Sequence, residues 1–252
     1  NFKHKIMKKT VIHLIITGVA VIMFACQNTA DQSQENPIAD DVKPLVEKVL
    51  SAEEQASLTP DKIYELLKAG NKRFMVGDLT TRDHSAQVRN STLGQFPKAV
   101  ILSCLDSRVP VEDVFDRGIG DIFVGRVAGN FVNVDLLGSM EFGCKVAGAK
   151  VILVMGHEHC GAVKAAIDDV ELGNITAMLT KIKPAVELVT DFEGEKTSKN
   201  DAYVHAVCES NVKNTMNEIR INSPILKEME DNGEIKIIGA VYDMSSGEVV
   251  FL

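Results

Sequence analysis

Two unbroken aliphatic runs constrain this chain more than any other feature. Ala99-Val100-Ile101-Leu102-Ser103-Cys104 and Lys150-Val151-Ile152-Leu153-Val154-Met155 show almost no alternation of polar and apolar residues. A strand with one wet face would alternate, whereas a short continuous run needs apolar cover on both faces. Both runs therefore belong inside a sheet with helices on each side, and such sheets are mostly parallel. Residues 121–127 (DIFVGRV) read as another strand. Helical patterns occupy 136–147, 161–172 closed by Gly173, 175–190, 201–221, and 225–232 with Gly233 past its end. Earlier, Thr59-Pro60 starts a helix whose Ile63, Leu66, Leu67, Phe74 and Met75 share one face. Residues 77–97 read as loop and short helix. Residues 235–242, a Ser245-Ser246-Gly247 turn and 249–252 form a terminal hairpin. The fold class that follows is α/β. It is a mostly parallel central sheet of about four strands plus an antiparallel C-terminal edge strand, flanked by helices.

The chain opens with a targeting segment. Met7-Lys8-Lys9 precede an apolar stretch over 11–25, broken by His13 and Thr17, which is too short to favour a spanning helix. Met23-Phe24-Ala25-Cys26 resembles a bacterial lipoprotein signal, with cleavage before Cys26 and lipid on its sulfur. Ordinary secretion and an uncleaved anchor are the alternatives. The division expected is a signal peptide over 1–25, a polar flexible tether over 26–43 and a folded domain over 44–252. The location expected is the cell envelope, on the periplasmic side, with membrane attachment only through lipid on Cys26. The net charge is −8, and the leader holds four of the lysines and no acid, so the remainder is more acidic still. That balance argues against nucleic-acid partners and against electrostatic adhesion to anionic lipid.

The chemistry concentrates at the ends of the two aliphatic runs. Cys104 ends the first and opens Cys104-Leu105-Asp106-Ser107-Arg108; the second leads into Gly156-His157-Glu158-His159-Cys160-Gly161. Parallel sheets gather ligands at the carboxyl ends of their strands, so these groups can meet although distant in sequence. Cys104, His157 and Cys160 make a Cys2His set, which for zinc leaves a fourth tetrahedral position open, as a catalytic site requires. His159 adjoins Cys160 and should point elsewhere. The amino end of the following helix favours the Cys160 thiolate. Asp106 and Arg108 supply a charged pair beside the first ligand, whose plain alternative is a structural ion pair. GHEHC lacks the four-residue histidine spacing of a metalloprotease helix. Cys144 and Cys208 sit in apolar helical patterns as small core residues, with a disulfide between them as the alternative for an exported chain.

Taken with LLKAGNKRF, Gln95-Phe96-Pro97-Lys98, DIFVGRVAGN and SMEFG, the CxDSR and GHxxCGA motifs resemble those of the β-class carbonic anhydrases over about 59–252. The resemblance implies one Zn2+ per subunit held by Cys104, His157 and Cys160, and a catalytic dyad of Asp106 and Arg108. It implies the reversible hydration of carbon dioxide to bicarbonate and a proton by zinc-bound hydroxide, the activity of a carbonate dehydratase, a zinc lyase. Gln95 matches a position whose amide can donate to bound substrate. Val109 and Phe131 are candidates for an apolar carbon dioxide pocket, and Gly161 for close packing with a free amide near the metal. Phe142 stands where many members with the Gln carry Tyr. Ile101 stands where the bicarbonate-inhibited subgroup carries an aromatic residue, so strong regulation of that kind is not expected despite Arg126. His159, and less directly His84 and His205, are candidates to carry protons away, as is external buffer. Family members pair through N-terminal helices and sheet edges, which implies a homodimer or dimer of dimers with residues 44–76 as the arm. Two alternatives keep the zinc: hydrolysis of carbonyl sulfide or carbon disulfide, and a non-catalytic zinc protein. Against the second, a structural zinc would take a fourth protein ligand instead of a neighbouring Asp–Arg pair.

Overall fold

The computed structural model describes residues 45–252. The signal peptide, lipid-bearing Cys26 and tether expected over residues 1–43 lie outside the described residues. Five strands, β1 (Ala99–Ser103), β2 (Ile122–Arg126), β3 (Val151–His157), β4 (Lys236–Tyr242) and β5 (Val249–Phe251), form one sheet in the order β2-β1-β3-β4-β5. The first four run parallel and β5 pairs antiparallel with β4. This is the predicted arrangement. Every residue of β1 and β3 is buried, as their unbroken aliphatic character requires.

Before the sheet come α1 (Ala52–Ser57), α2 (Pro60–Met75) and α3 (His84–Asn90). Thr59 caps α2 by accepting from the Lys62 amide, and Pro60 takes the first turn where no amide is needed. The Lys150 ammonium donates to the carbonyls of Gln55, Ala56 and Leu58, closing the carboxyl end of α1. A short α4 (Val111–Val114) joins β1 to β2, and α5 (Val134–Glu141) leads toward β3. Between β3 and β4 lie α6 (Gly161–Ile167), α7 (Gly173–Leu179), α8 (Lys183–Glu187), α9 (Asp201–Asn222) and α10 (Pro224–Asp231).

The pleat sorts the strand residues into two layers. Val100, Leu102, Ile152 and Val154 pack with Met140, Val212, Ile219 and Leu226 on one face. Ile101, Val151, Leu153 and Met155 pack with Ile63, Leu67, Val111 and Phe115 on the other. Asn71 of α2 crosses the second layer: its amide donates to the Val114 and Gly247 carbonyls and its oxygen accepts from the Val249 amide. Nearby, the buried Asp116 accepts from Arg73 Nε at 2.5 Å, Arg82 Nη1 at 2.7 Å, and the amide and hydroxyl of Thr80 at 3.0 and 2.7 Å. One carboxylate thus ties the end of α2 and the following loop to the turn after α4. Burial pushes its pKa up, but the hydrogen bonds from Thr80, Arg73 and Arg82 outweigh this and hold it at about 2.

Several expected boundaries move. The helix expected over 136–147 changes to a wider π turn over Phe142–Val146, closed by the Ala147 amide on the Phe142 carbonyl at 2.9 Å. That turn seats Gly143 against β1, where any Cβ would meet Val100 at 2.6 Å. The helix expected over 161–172 ends at Ile167, and Gly173 opens α7 instead of closing α6. The helix expected over 175–190 is two, because Pro184 belongs in a first turn and forces a new start at α8. Cys144 and Cys208 are separate buried thiols, and Cys208 donates to the His157 carbonyl.

Candidate metal centre

Adjacent parallel strands bring the ligands together. Ser103 of β1 stands opposite Met155 of β3, so Cys104, one residue on, and His157, the last residue of β3, emerge at the same end of the sheet. A tight loop with His159 at φ +53 then returns Cys160 to the site as the residue capping α6. All three side chains are buried, and their Sγ and imidazole nitrogen atoms lie within 4.8 Å of one another. Among the described residues, this is the only such group of three metal-binding side chains.

The geometry fits a zinc ion. Two sulfurs about 2.3 Å from a tetrahedral centre stand about 3.8 Å apart; Cys104 Sγ and Cys160 Sγ are 3.9 Å apart. His157 Nδ1 lies 2.8 Å from the Glu158 carbonyl, which only a protonated Nδ1 can satisfy. Nε2 is then a bare lone pair, and it is buried with no hydrogen-bond partner. A buried orphan nitrogen facing two sulfurs is the arrangement a metal satisfies. The thiols agree. Hydrogen bonding with Cys160 lowers the Cys104 thiol most, burial opposes this, and the Gly129 and Asp106 amides lower it further. The same contact with Cys104, with burial, pushes Cys160 up. The pair holds one negative charge readily and resists a second, which a dication would compensate.

Asp106 faces this set. Arg108 clasps it with Nε at 2.9 Å and Nη2 at 2.7 Å, and the Arg108 amide adds a third bond at 2.9 Å. These contacts keep its carboxyl well below the usual carboxylate range, the Arg108 side chain contributing most. The clasped Oδ2 lies 3.8 Å from His157 Nε2, so the pair borders the ligands.

The structure assigns other residues differently. Arg126 of β2 donates to the carbonyls of Cys104 at 3.4 Å, Asp106 at 3.2 Å and Val109, and so pins the loop that carries the site. Val109 is buried in the layer of Ile101 and Phe115, whereas Phe131 packs in the cluster that contains Cys104 and Cys160. Gln95 is exposed in the loop before β1, at the opposite end of that strand from Cys104, and does not join the site of its own chain. The close packing expected of Gly161 is absent: it is exposed, and a Cβ there would meet nothing within 4 Å. His159 lies 3.4 Å from Asp201, and His205 stands between Glu158 and Glu209 at 3.5 and 3.3 Å. His84 is the first residue of α3. Two residues went unnoticed in the sequence. The Gly129 amide donates to Cys104 Sγ at 3.3 Å, and the Asn211 side chain donates to the Gly129 carbonyl at 2.8 Å. The available signal was an Asn on the buried face of α9, in register with Val204, Cys208 and Thr215.

Comparison with known proteins agrees with this geometry. The family model described as carbonic anhydrase matches residues 99–249. Carbonic anhydrase 2 of Mycobacterium tuberculosis is 32% identical over 197 residues, covering 76% of this chain and 92% of that one. The structure of the β-carbonic anhydrase CafA of Aspergillus fumigatus matches with a TM-score of 0.59 at 27% identity, over 67% of this chain and 81% of that one. One of the tetrameric β-carbonic anhydrases of Sordaria macrospora shares the fold at 21% identity, with a TM-score of 0.57 over 76% and 97% of the two chains. With its ligand set, its sheet and these relatives in agreement, the chain belongs to the β-class carbonic anhydrase family.

Proposed function

We infer that this chain interconverts carbon dioxide and bicarbonate with zinc as its cofactor. The observation that carries the reading is a bare, buried His157 Nε2 facing Cys104 and Cys160, with an Arg-clasped carboxylate beside it. A zinc ion held by these three residues supplies Lewis acidity and brings the pKa of a bound water toward neutrality. The protein's own groups do the rest. Arg108 keeps Asp106 ionised and directed at the ligand set, so Asp106 serves as an acceptor that orients the reacting water and takes its hydrogen bond. Arg126 holds the loop that positions both. Phe131 offers an apolar wall suited to an uncharged linear substrate.

The functional unit proposed is a homodimer or a dimer of dimers. Gln95 can reach substrate only in the site of another copy, and β2 is an open sheet edge with half-buried residues where a copy could pair. The tetrameric Sordaria relatives support such an assembly. Attachment through lipid on Cys26 and a periplasmic location rest on the sequence of residues 1–26 alone. The test of function is stopped-flow carbon dioxide hydration by zinc-loaded protein, with carbonyl sulfide and carbon disulfide assayed alongside. Zinc-dependent hydration is expected. Zinc-replete protein that leaves carbon dioxide untouched, or prefers a sulfur substrate, would overturn the reading.

A further inference from the structure

Asn211 lies mid-way along α9, fully buried among Val204, Val207, Cys208 and Val212, where packing alone would select an aliphatic residue. Its amide nitrogen makes one bond, to the Gly129 carbonyl, and its oxygen is buried without a partner. A half-satisfied buried amide destabilises a core unless the one bond it makes matters. That bond holds a turn. The Asn130 amide closes on the Val127 carbonyl at 3.0 Å, and Gly129, third of the four residues, has φ +82 as a type II turn demands. The turn's own hydrogen bond uses the Asn130 amide, which leaves the Gly129 N–H free to point outward, and it donates to Cys104 Sγ. A side chain at this position would be strained by φ +82, and its Cβ would press on Ile182 Cγ1 at 3.2 Å and Ala162 Cβ at 3.3 Å.

We propose that Asn211 is a positioning residue for the metal centre: by anchoring the Gly129 carbonyl it fixes the Gly129 N–H on the Cys104 sulfur. An N–H donated to a thiolate withdraws charge from it. Two thiolates and one imidazole would otherwise leave a bound metal less electrophilic than three imidazoles would. The Asn211–Gly129 relay offsets this at Cys104. The inference rests on the reading of Cys104, His157 and Cys160 as metal ligands, and the test separates the two.

Wild-type and Asn211→Leu proteins, each shown to be folded by circular dichroism, are loaded with Co2+. Wild-type protein that fails to bind one equivalent with thiolate-to-cobalt charge-transfer bands would remove the metal reading itself. If it binds, the substitution should move those bands to longer wavelength, because the sulfur becomes a better donor. It should also weaken Zn2+ binding about 10–100-fold against a competing chelator, because the Gly129 turn no longer holds the Cys104 sulfur in place and that loss outweighs the stronger donation. A purely structural Asn211 would lower stability and leave the bands in place, which would overturn the proposal. Should Asn211→Leu not fold, Asn211→Ser takes its place. Independently, wild-type protein loaded with cadmium-113 should show scalar coupling between the metal and the Gly129 amide proton, and its absence would equally refute the relay.

Discussion

Asp116 offers the sharpest quantitative test of how the scaffold is held. Asp116→Asn keeps the shape, removes the charge, and turns an NH2 group toward Arg73, Arg82 or Thr80, all of them donors. Leaving two guanidinium groups without their buried partner costs about 3–5 kcal/mol. The titration gives a second route to the magnitude. A fall from 3.8 to about 2 corresponds to roughly 2–3 kcal/mol favouring the folded state at neutral pH. The two routes meet at about 3 kcal/mol, and the mutational figure is larger because the new amide also opposes donors. The sign follows from the depressed pKa. This stabilisation is fully present above the unfolded value of 3.8 and is lost as pH falls from about 4 to about 2. Urea unfolding of zinc-loaded wild-type and variant proteins should give a gap of about 3–5 kcal/mol that is constant from pH 8 to 5. The gap should narrow below pH 4. Zinc affinity of the folded variant should match wild type, since no ligand touches Asp116. A gap under about 1 kcal/mol at pH 7, or one that persists undiminished in acid, would refute the assignment of Asp116 as an ionised hub.

Other outcomes follow from the site. Asp106→Asn should lower carbon dioxide hydration by about 10²–10⁴-fold with zinc content unchanged, measured by stopped flow and metal analysis; a loss of zinc in step with activity would make Asp106 structural. Arg126→Met orphans the Cys104, Asp106 and Val109 carbonyls and should cost about 1–3 kcal/mol in urea unfolding. Its hydration rate should fall because the 104–109 loop loosens, and unchanged rate and stability would count against that role. Protein stripped of zinc by a chelator and treated with diamide should lose two thiols as Cys104 and Cys160, now 3.9 Å apart, close to a disulfide of about 2.05 Å. Each sulfur gives up a proton and an electron to the diamide, and peptide mapping identifies the pair. A full thiol count after treatment would sink this expectation.

The sheet and the ligands were legible because their signals are local. An aliphatic run buried on both faces has few other meanings, and Cys104 and His157 sit where such runs stop. Pro60 and Thr59 announced α2 for the same reason. What escaped depends on partners far along the chain. Gly161 looked like a close-packing glycine beside the metal, but its surroundings are empty; the crowded glycine next to Cys104 is Gly129, 2.3 Å from Ile182 once a Cβ is added. Periodicity could not reveal that Arg126 is engaged by carbonyls of another loop, or that Gly143 needs a π turn to reach Val100. Gln95 matched a substrate position by motif, yet a motif does not show that it lies exposed at the opposite end of β1 from Cys104.

The pairing of β1 with β3 has a consequence for how the chain matures. Ser103 opposite Met155 puts Cys104 and His157 together. A slip of one residue between these strands would carry His157 about 3.3 Å along and turn its ring to the other face. High-affinity metal uptake is therefore conditional on a single strand alignment between segments far apart in sequence, a class of contact that forms slowly. During refolding, the appearance of tight cobalt binding clocks the locking of the sheet's centre. A chain misaligned there would lack His157 in the ligand set, so tight cobalt binding is expected only once the β1–β3 register is correct.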